Sequence, residues 1–330
     1  MTVAGEHIAT FDCFGSTCSV LVAGDGPERS AQQALALARQ SLLEWHERFS
    51  RFEPDSELSR LNRDPRRRVT VSPLMARLAH AVVAAGSLSG GLVDATLVEE
   101  IEDAGYDRDI ADPLALASAL ELAPARSAAR PARRGRWQDI EVSLEECAVT
   151  RPPGVKLDSG GIAKGLFADV LAEMLAGHAA YAVNCAGDLR VGGNGAVTRP
   201  IKVESPFDGS VLHTWHSRSG GVATSGIGRR SWRDTDGLPA HHLLDPSTCR
   251  AAFTGVVQTT ALASSAVIAE VRAKAALLSG PGAAARWLSD GGVIVLDDGS
   301  HQVIAPPPSV TLSELSVYAR GPLSPTAEHA

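Results

Sequence analysis

Apolar and polar positions divide this chain into strand-like and helix-like stretches in irregular alternation. Residues 8–23 read as extended chain that turns at Gly15-Ser16 and resumes over 17–22. Ala34, Leu37, Leu42, Trp45 and Phe49 recur at helical spacing and predict a long helix over 31–49. Residues 49–62 predict a turn entering a short capped helix, and 75–88 a further helix ended by Gly90-Gly91. Residues 92–96 follow as a short extended piece. Phe167, Leu171 and Leu175 share one helical face, with Leu166, Val170 and Met174 beside it and Gly177 as the stop. Strand-like pieces fall at 140–142, 182–183, 189–191, 201–203, 221–224 and 292–296, and a last helix spans 265–279 before Gly280-Pro281. No repeat is present, and this irregular alternation indicates an α+β fold.

At 330 residues the chain can bury a substantial core, as one large domain or two joined ones. With 44% hydrophobic and 21% charged residues the composition is that of a globular protein. A formal net charge of −7 argues against general nucleic-acid binding. The basic run 126–136 reads as a solvated, mobile loop within an irregular connection over 108–136. Five cysteines, odd in number and without a CxxC pair, support neither a disulfide framework nor a zinc site. Cys13 and Cys18, five apart in extended chain, are expected on opposite faces, which fits a reducing compartment. Neither a leader pattern nor a run of about 18 apolar residues is visible, so the expectation is a cytoplasmic protein without membrane insertion. Residues 1–305 are expected to form one domain, and 306–330 a peripheral segment with a disordered end.

Candidate chemistry concentrates in a few loops. Asp158-Ser159-Gly160-Gly161-Ile162-Ala163-Lys164-Gly165 stands at a helix entrance. Glycines there let backbone approach a ligand, and helix N-terminal amides favour an anion. An ordinary turn needing positive φ would use the same residues, and the spacing matches neither a dinucleotide fingerprint nor a P-loop. Thr224-Ser225-Gly226 is a small-residue turn, and Asn184-Cys185-Ala186-Gly187-Asp188 a tight turn after an apolar strand. His242, before Leu243-Leu244-Asp245-Pro246, could be a positioned general base or could satisfy a nearby backbone group. Glu270 and Lys274 are four apart on one helix face, the favourable order for an ion pair of ~0.3–0.5 kcal/mol.

Taken in order, these segments resemble the ApbE family of FAD:protein FMN transferases. The resemblance rests on Phe14-Gly15-Ser16-Thr17, the Phe49 to Ser59 segment with its Pro-Asp-Ser-Glu-Leu-Ser ending, and Val93-Asp94-Ala95-Thr96. It continues through the 158–165 block, Asn184 with Gly187-Asp188, Ala223-Thr224-Ser225-Gly226, and His242 with Asp245-Pro246. It implies a T-fold-related arrangement of mixed sheets and packed helices in a single large bilobed domain. It also implies transfer of FMN from FAD to a Thr or Ser hydroxyl of a target flavoprotein, with release of AMP. Hydrolysis of FAD to FMN and AMP, or FAD binding without catalysis, are the alternatives. By position, His242 resembles the base that activates the acceptor hydroxyl. Phe14, Phe52, Asp94, Ala95, Thr96, Asp158, Lys164, Ser225 and Leu244 fall where the family contacts FAD. The family often has Met at the first of these and Tyr at the second.

One departure stands on the last helix. The family places a metal-binding Asp there and a Thr four residues on, joined by a backbone carbonyl at the position of Gly161. This chain has Glu270 and Lys274 instead. Glu can bind magnesium through oxygen, whereas a protonated lysine offers no lone pair and repels a cation. Two expectations follow. Either Gly161 and Glu270 hold Mg2+, or the Lys274 ammonium takes over part of the metal's work at the FAD pyrophosphate.

Overall fold

Phe14 and Gly15, both left-handed at φ 57 and 65, make the two-residue turn that folds the N-terminal stretch into a hairpin of β1 (Glu6–Cys13) and β2 (Ser16–Ala23). The structure is a computed structural model that describes residues 5–306 except 109, 111, 112 and 196; the expected C-terminal segment beyond 306 lies outside the described residues. The hairpin corrects one expectation. Cys13 and Cys18 lie on different strands and are buried in the same core, because side-chain alternation restarts at a turn.

The chain continues through α1 (Ala31–Phe49), α2 (Glu57–Arg63), β3 (Arg68–Thr70), α3 (Pro73–Leu88), α4 (Val98–Asp103), α5 (Leu116–Glu121), β4 (Glu141–Ser143), β5 (Ala148–Thr150) and α6 (Ala163–Leu175). Next come β6 (Ala180–Cys185), β7 (Asp188–Gly192), β8 (Arg199–Glu204), β9 (Val211–Ser217) and β10 (Gly220–Gly226). The short pairs β11 (Ser231–Arg233) with β12 (Pro239–His241), and β13 (Leu244–Asp245) with β14 (Arg250–Ala251), follow. The described chain closes with β15 (Val256–Ala263), α7 (Ala266–Leu278), β16 (Gly292–Leu296) and β17 (His301–Ile304).

Eight strands form the central sheet in the order β1-β2-β6-β7-β10-β15-β16-β17, and every neighbouring pair is antiparallel. Strand order therefore equals chain order, and the remaining elements are insertions between sheet neighbours. The fold is α+β, with α1, α6 and α7 packed on one face of the sheet. The β8–β9 hairpin covers part of the other face, setting Ile201 and Trp215 against Ala182, Val191 and Val222.

The helices start where their caps dictate. Ser30 and Gln33 form a reciprocal capping box on α1, Ser72 precedes Pro73 at the first position of α3, and Ser265 caps α7. Helix α7 joins two cores. Val271 and Ala275 belong to the one built on α1, α3 and α6, whereas Ala273, Ala276 and Leu277 belong to the one built on β15 and β16. A helix buried on so many sides should be apolar, yet it carries buried Glu270 and Lys274.

Two further expectations differ from the structure. Residues 92–96 form bends and turns rather than extended chain, because the Ser89 and Asp94 side chains accept from the Val93 and Thr96 amides. The basic stretch 126–136 is anchored rather than loose. Ser127 N–H donates to Phe253 O at 3.0 Å, Ala129 N–H to Leu278 O at 2.9 Å, and Arg126 reaches Asp297 at 2.6 Å. These backbone pairings leave no mark on composition.

Helices α6 and α7 cross at Gly165, where a Cβ would lie 2.8 Å from Ala266 O and from the Val267 backbone. In an exposed helix interior, Gly→Ala stabilises by about 1 kcal/mol. Gly165→Ala should instead destabilise by about 1–3 kcal/mol through overpacking. Denaturant unfolding measures this, and unchanged or increased stability would contradict so close a crossing.

Candidate active site

A cavity of about 770 Å³ opens where the β1–β2 turn, the end of α1, the bends at 92–97, the 158–164 block and one flank of α7 converge. Its size suits a small-molecule ligand, for which about 300–1,000 Å³ is usual. Of the residues expected at a site, Phe14, Phe52, Asp94, Ala95, Asp158, Gly161, Lys164, His242, Leu244 and Lys274 line this cavity. The structure thus gathers segments more than 200 positions apart.

Thr96, Ser225 and Glu270 are not among the lining residues. Buried Thr96 supports Asp94, donating to its Oδ1 from the backbone at 2.9 Å and from the hydroxyl at 2.5 Å. Ser225 is buried in β10, opposite Thr259 of β15.

The glycine block has a more specific geometry than a strained turn. Neither Gly160 nor Gly161 has positive φ. A Cβ at Gly161 would meet only the Cε of Lys274, at 3.7 Å, so the space before it is the cavity. Asp158 closes the turn by accepting from Gly160 N–H at 3.0 Å, and its own N–H donates to Ala95 O at 2.8 Å. Helix α6 then begins at Ala163 with no side-chain cap. The Gly165 amide donates to Glu270 Oε2 at 3.0 Å, so part of the helix N-terminus is already satisfied by a carboxylate.

That carboxylate belongs to a buried row of four charges. Lys164 Nζ is 2.5 Å from Asp188 Oδ2 and 3.8 Å from Glu270 Oε1, and Lys274 Nζ donates to Glu270 Oε1 at 2.8 Å. The Asp188 and Glu270 side chains are 1% and 0% exposed, against 14% and 9% for Lys164 and Lys274. Only the lysines reach the cavity wall. Burial works against ionised Glu270, but Lys274, Lys164 and the Gly165 amide hold its pKa below the ordinary value. Burial likewise opposes the charge on Lys164, and Asp188 and Glu270 outweigh it, raising its pKa. Asp188 is pushed up by burial and by Glu270. The two partners of the 2.5 Å contact therefore disagree about its benefit. We take the pair as ionised because of the contact, with burial of Asp188 as its cost.

These residues do not fit the magnesium ion that the resemblance implies. Both Glu270 oxygens already accept internal donors, and two ammonium groups stand within 4 Å of Oε1. Asp188 Oδ1 is buried without a hydrogen-bond partner, but Asp188, like Glu270, is absent from the cavity lining, so neither carboxylate is presented to an ion that phosphate and water oxygens would help to hold. Among the described residues no three His, Cys, Asp or Glu side chains come together as a metal cluster.

Another part of the lining is aromatic. Phe52 packs edge-on against Tyr106 with centroids 5.4 Å apart, Tyr106 stacks on Trp232 at 5.2 Å, and the Arg51 guanidinium lies 4.3 and 4.7 Å from the Phe52 and Tyr106 ring centroids. Arg51 also stands 3.6 Å from Asp158. Sequence reasoning missed Arg51, Tyr106 and Arg230, all lining residues. The signal for Arg51 was its place between Phe49 and Phe52; Arg230, which donates to Phe14 O at 2.9 Å, offered none beyond a local Arg-Arg pair.

His242 lines the cavity with its Nδ1 3.4 Å from Arg230 O. Burial, then the charges of Arg230, His241 and Lys274, hold its pKa well below the ordinary imidazole value. Burial also lowers the neighbouring His241 to about 3. Neutral His242 can accept a proton at physiological pH.

A family model described as "ApbE family" matches residues 14–296. A curated FAD:protein FMN transferase of Rhodobacter capsulatus is 27% identical over 301 residues, covering 88% of this chain and 55% of its own. The present chain thus spans about half the length of that relative. FAD:protein FMN transferase of Salmonella typhimurium is 26% identical over 268 residues, covering 78% of this chain and 73% of its own. Two solved structures share the fold. An ApbE protein of Thermotoga maritima has a TM-score of 0.72 at 23% identity, covering 90% of this chain and 96% of its own. The flavin transferase ApbE of Vibrio cholerae has a TM-score of 0.70 at 21%, covering 92% and 97%.

Depressed histidine pKa values fix a pH dependence. Between the folded value and the ordinary value of about 6.5, the unfolded chain binds the proton and the folded one does not. Stability should therefore fall as pH is lowered through that window. Nitrogen NMR of the imidazoles should show His242 still neutral below pH ~6. A transition near the ordinary value would contradict the burial and charges around it.

Proposed function

Because the chain belongs to the ApbE family, we propose that it transfers FMN from FAD to a Thr or Ser hydroxyl of a target flavoprotein. The observation that carries this reading is the single cavity wall that holds neutral His242, the 158–164 helix entrance and two ammonium groups together. Aromatic surface at Phe52 and Tyr106 supports binding of a planar ring in the same cavity. The lysine end suits the pyrophosphate.

The chemistry balances with the residues present. The acceptor hydroxyl oxygen attacks the phosphorus on the FMN side of the pyrophosphate, and its proton passes to His242 Nε2, since Nδ1 faces the Arg230 carbonyl. The new oxygen–phosphorus ester forms as the bridging bond breaks, and AMP leaves with that electron pair. Lys164, Lys274 and Arg230 oppose the charge that develops on the leaving phosphate. The hydroxyl comes from outside the chain, so the cavity must remain open to a partner's segment.

No described helix is long and apolar enough to cross a membrane. All five cysteines are free, which supports action in a reducing compartment such as the cytoplasm.

Incubating the protein with FAD and flavoprotein subunits, then viewing denatured gels for flavin fluorescence, tests transfer directly. A fluorescent acceptor band with AMP release is expected. AMP without a band would mean hydrolysis, and neither would leave an FAD-binding protein. His242→Gln should lower transfer by about 10²–10⁴-fold while FAD affinity changes little. Undiminished transfer would remove His242 from the role of base.

A further inference from the structure

We infer that the substrate of this protein is the metal-free dinucleotide, and that the Lys274 ammonium occupies the place of a pyrophosphate-binding metal ion. The inference rests on the flavin reading above and concerns how that site handles charge.

The geometry supports it from three directions. First, the carboxylates that would ligate an ion are turned away from the cavity. Glu270 and Asp188 lie behind its wall, and the groups they present to it are the ammoniums of Lys274 and Lys164. Second, Glu270 is held in this state by the fold. Its Oε2 accepts the Gly165 amide at a helix crossing too tight to admit a Cβ, while Oε1 is given to Lys274 at 2.8 Å. Turning the carboxylate toward an ion would strand a buried amide and a buried ammonium together.

Third, Lys274 is placed for a ligand. It has one carboxylate partner at the end of the row, and its Cε lies 3.7 Å from where a Gly161 Cβ would stand. The ammonium therefore borders the stretch of backbone that the absent side chains leave open. The row carries two positive and two negative charges, so it is neutral alone and exposes its positive members. A pyrophosphate arriving with two negative charges meets Lys274, Lys164 and Arg230 along one wall. A magnesium complex of the same pyrophosphate would bring no net charge to attract them and a cation to repel them.

Binding of FAD, followed by quenching of flavin fluorescence, tests this in the intact protein. Affinity with a chelator should lie within about threefold of that in excess magnesium at matched ionic strength. Lys274→Gln should weaken binding by about tenfold or more in both buffers, and Lys274→Arg should restore most of it. Thermal unfolding of each variant separates this from loss of the fold, and the wild-type comparison needs no variant at all. Binding that appears only with magnesium would overturn the inference and leave the flavin reading intact. Absence of FAD binding in both buffers would overturn the flavin reading and the inference with it.

Discussion

The contact on which the site depends is the crossing of α6 over α7 at Gly165. A side chain there would collide with the backbone of Ala266 and Val267. With hydrogen alone, the α6 amide comes close enough to donate to Glu270, one turn into α7. Asp169 reinforces the same junction by accepting from the Ala266 and Val267 amides at 2.9 and 3.0 Å. Each helix thus supplies a carboxylate to the other's N-terminus. Helix dipole and hydrogen bonding act together there in low dielectric. Lys164 and Lys274 follow from that arrangement, since each is one or four residues from a group that the crossing fixes.

A buried charge row is a poor source of stability on its own. Removing four charges from water costs several kcal/mol per ion, and mutual attraction returns that only when the geometry is good. An apolar set would serve the core better, as the rest of α7 shows with its alanines, valine and leucines. The row is therefore best understood as a means of holding two ammonium groups at the cavity wall. Lysines reaching in from loops would pair with passing carboxylates or turn to solvent. Those on opposed helices, each backed by a buried carboxylate, keep one orientation.

How much of this was legible in the chain differs between elements and site. Helices with strong periodicity and caps, such as α1 and α7, could be read from spacing alone, because burial of one face and the serine caps act locally. The single cavity could not. His242 and the 158–165 block stood out by residue type, but the convergence of Phe14, Asp94 and Lys274 depends on sheet order, which is non-local. Arg51 showed only its place between Phe49 and Phe52, and Tyr106 and Arg230 were invisible for the same reason, since these positions depend on partners at least 50 residues distant: Tyr106 O for Arg51 and Phe14 O for Arg230. The Glu270–Lys274 pair shows the limit most clearly. Spacing identified it as a helix ion pair, and only the fold shows that it is buried, with Glu270 tied to Gly165 and Lys274 at the cavity wall.

An ammonium in place of an ion would change what a site can do for phosphoryl transfer. A divalent ion binds several phosphate oxygens at once and withdraws electron density as a Lewis acid. An ammonium supplies one charge and three hydrogen bonds, so its help is electrostatic and directional. Such help grows as water is excluded and the local dielectric falls. The loss of Lewis acidity would be offset only if several cations acted together in a confined space. Arg230, fixed by the Phe14 carbonyl, lines the same cavity as the two lysines and could act with them. It follows that Phe14, held left-handed by the hairpin turn, contributes through its backbone as well as its ring. The N-terminal hairpin thereby joins the charged part of the lining, to which its strand ends also bring Asp12, Cys13, Ser16 and Thr17.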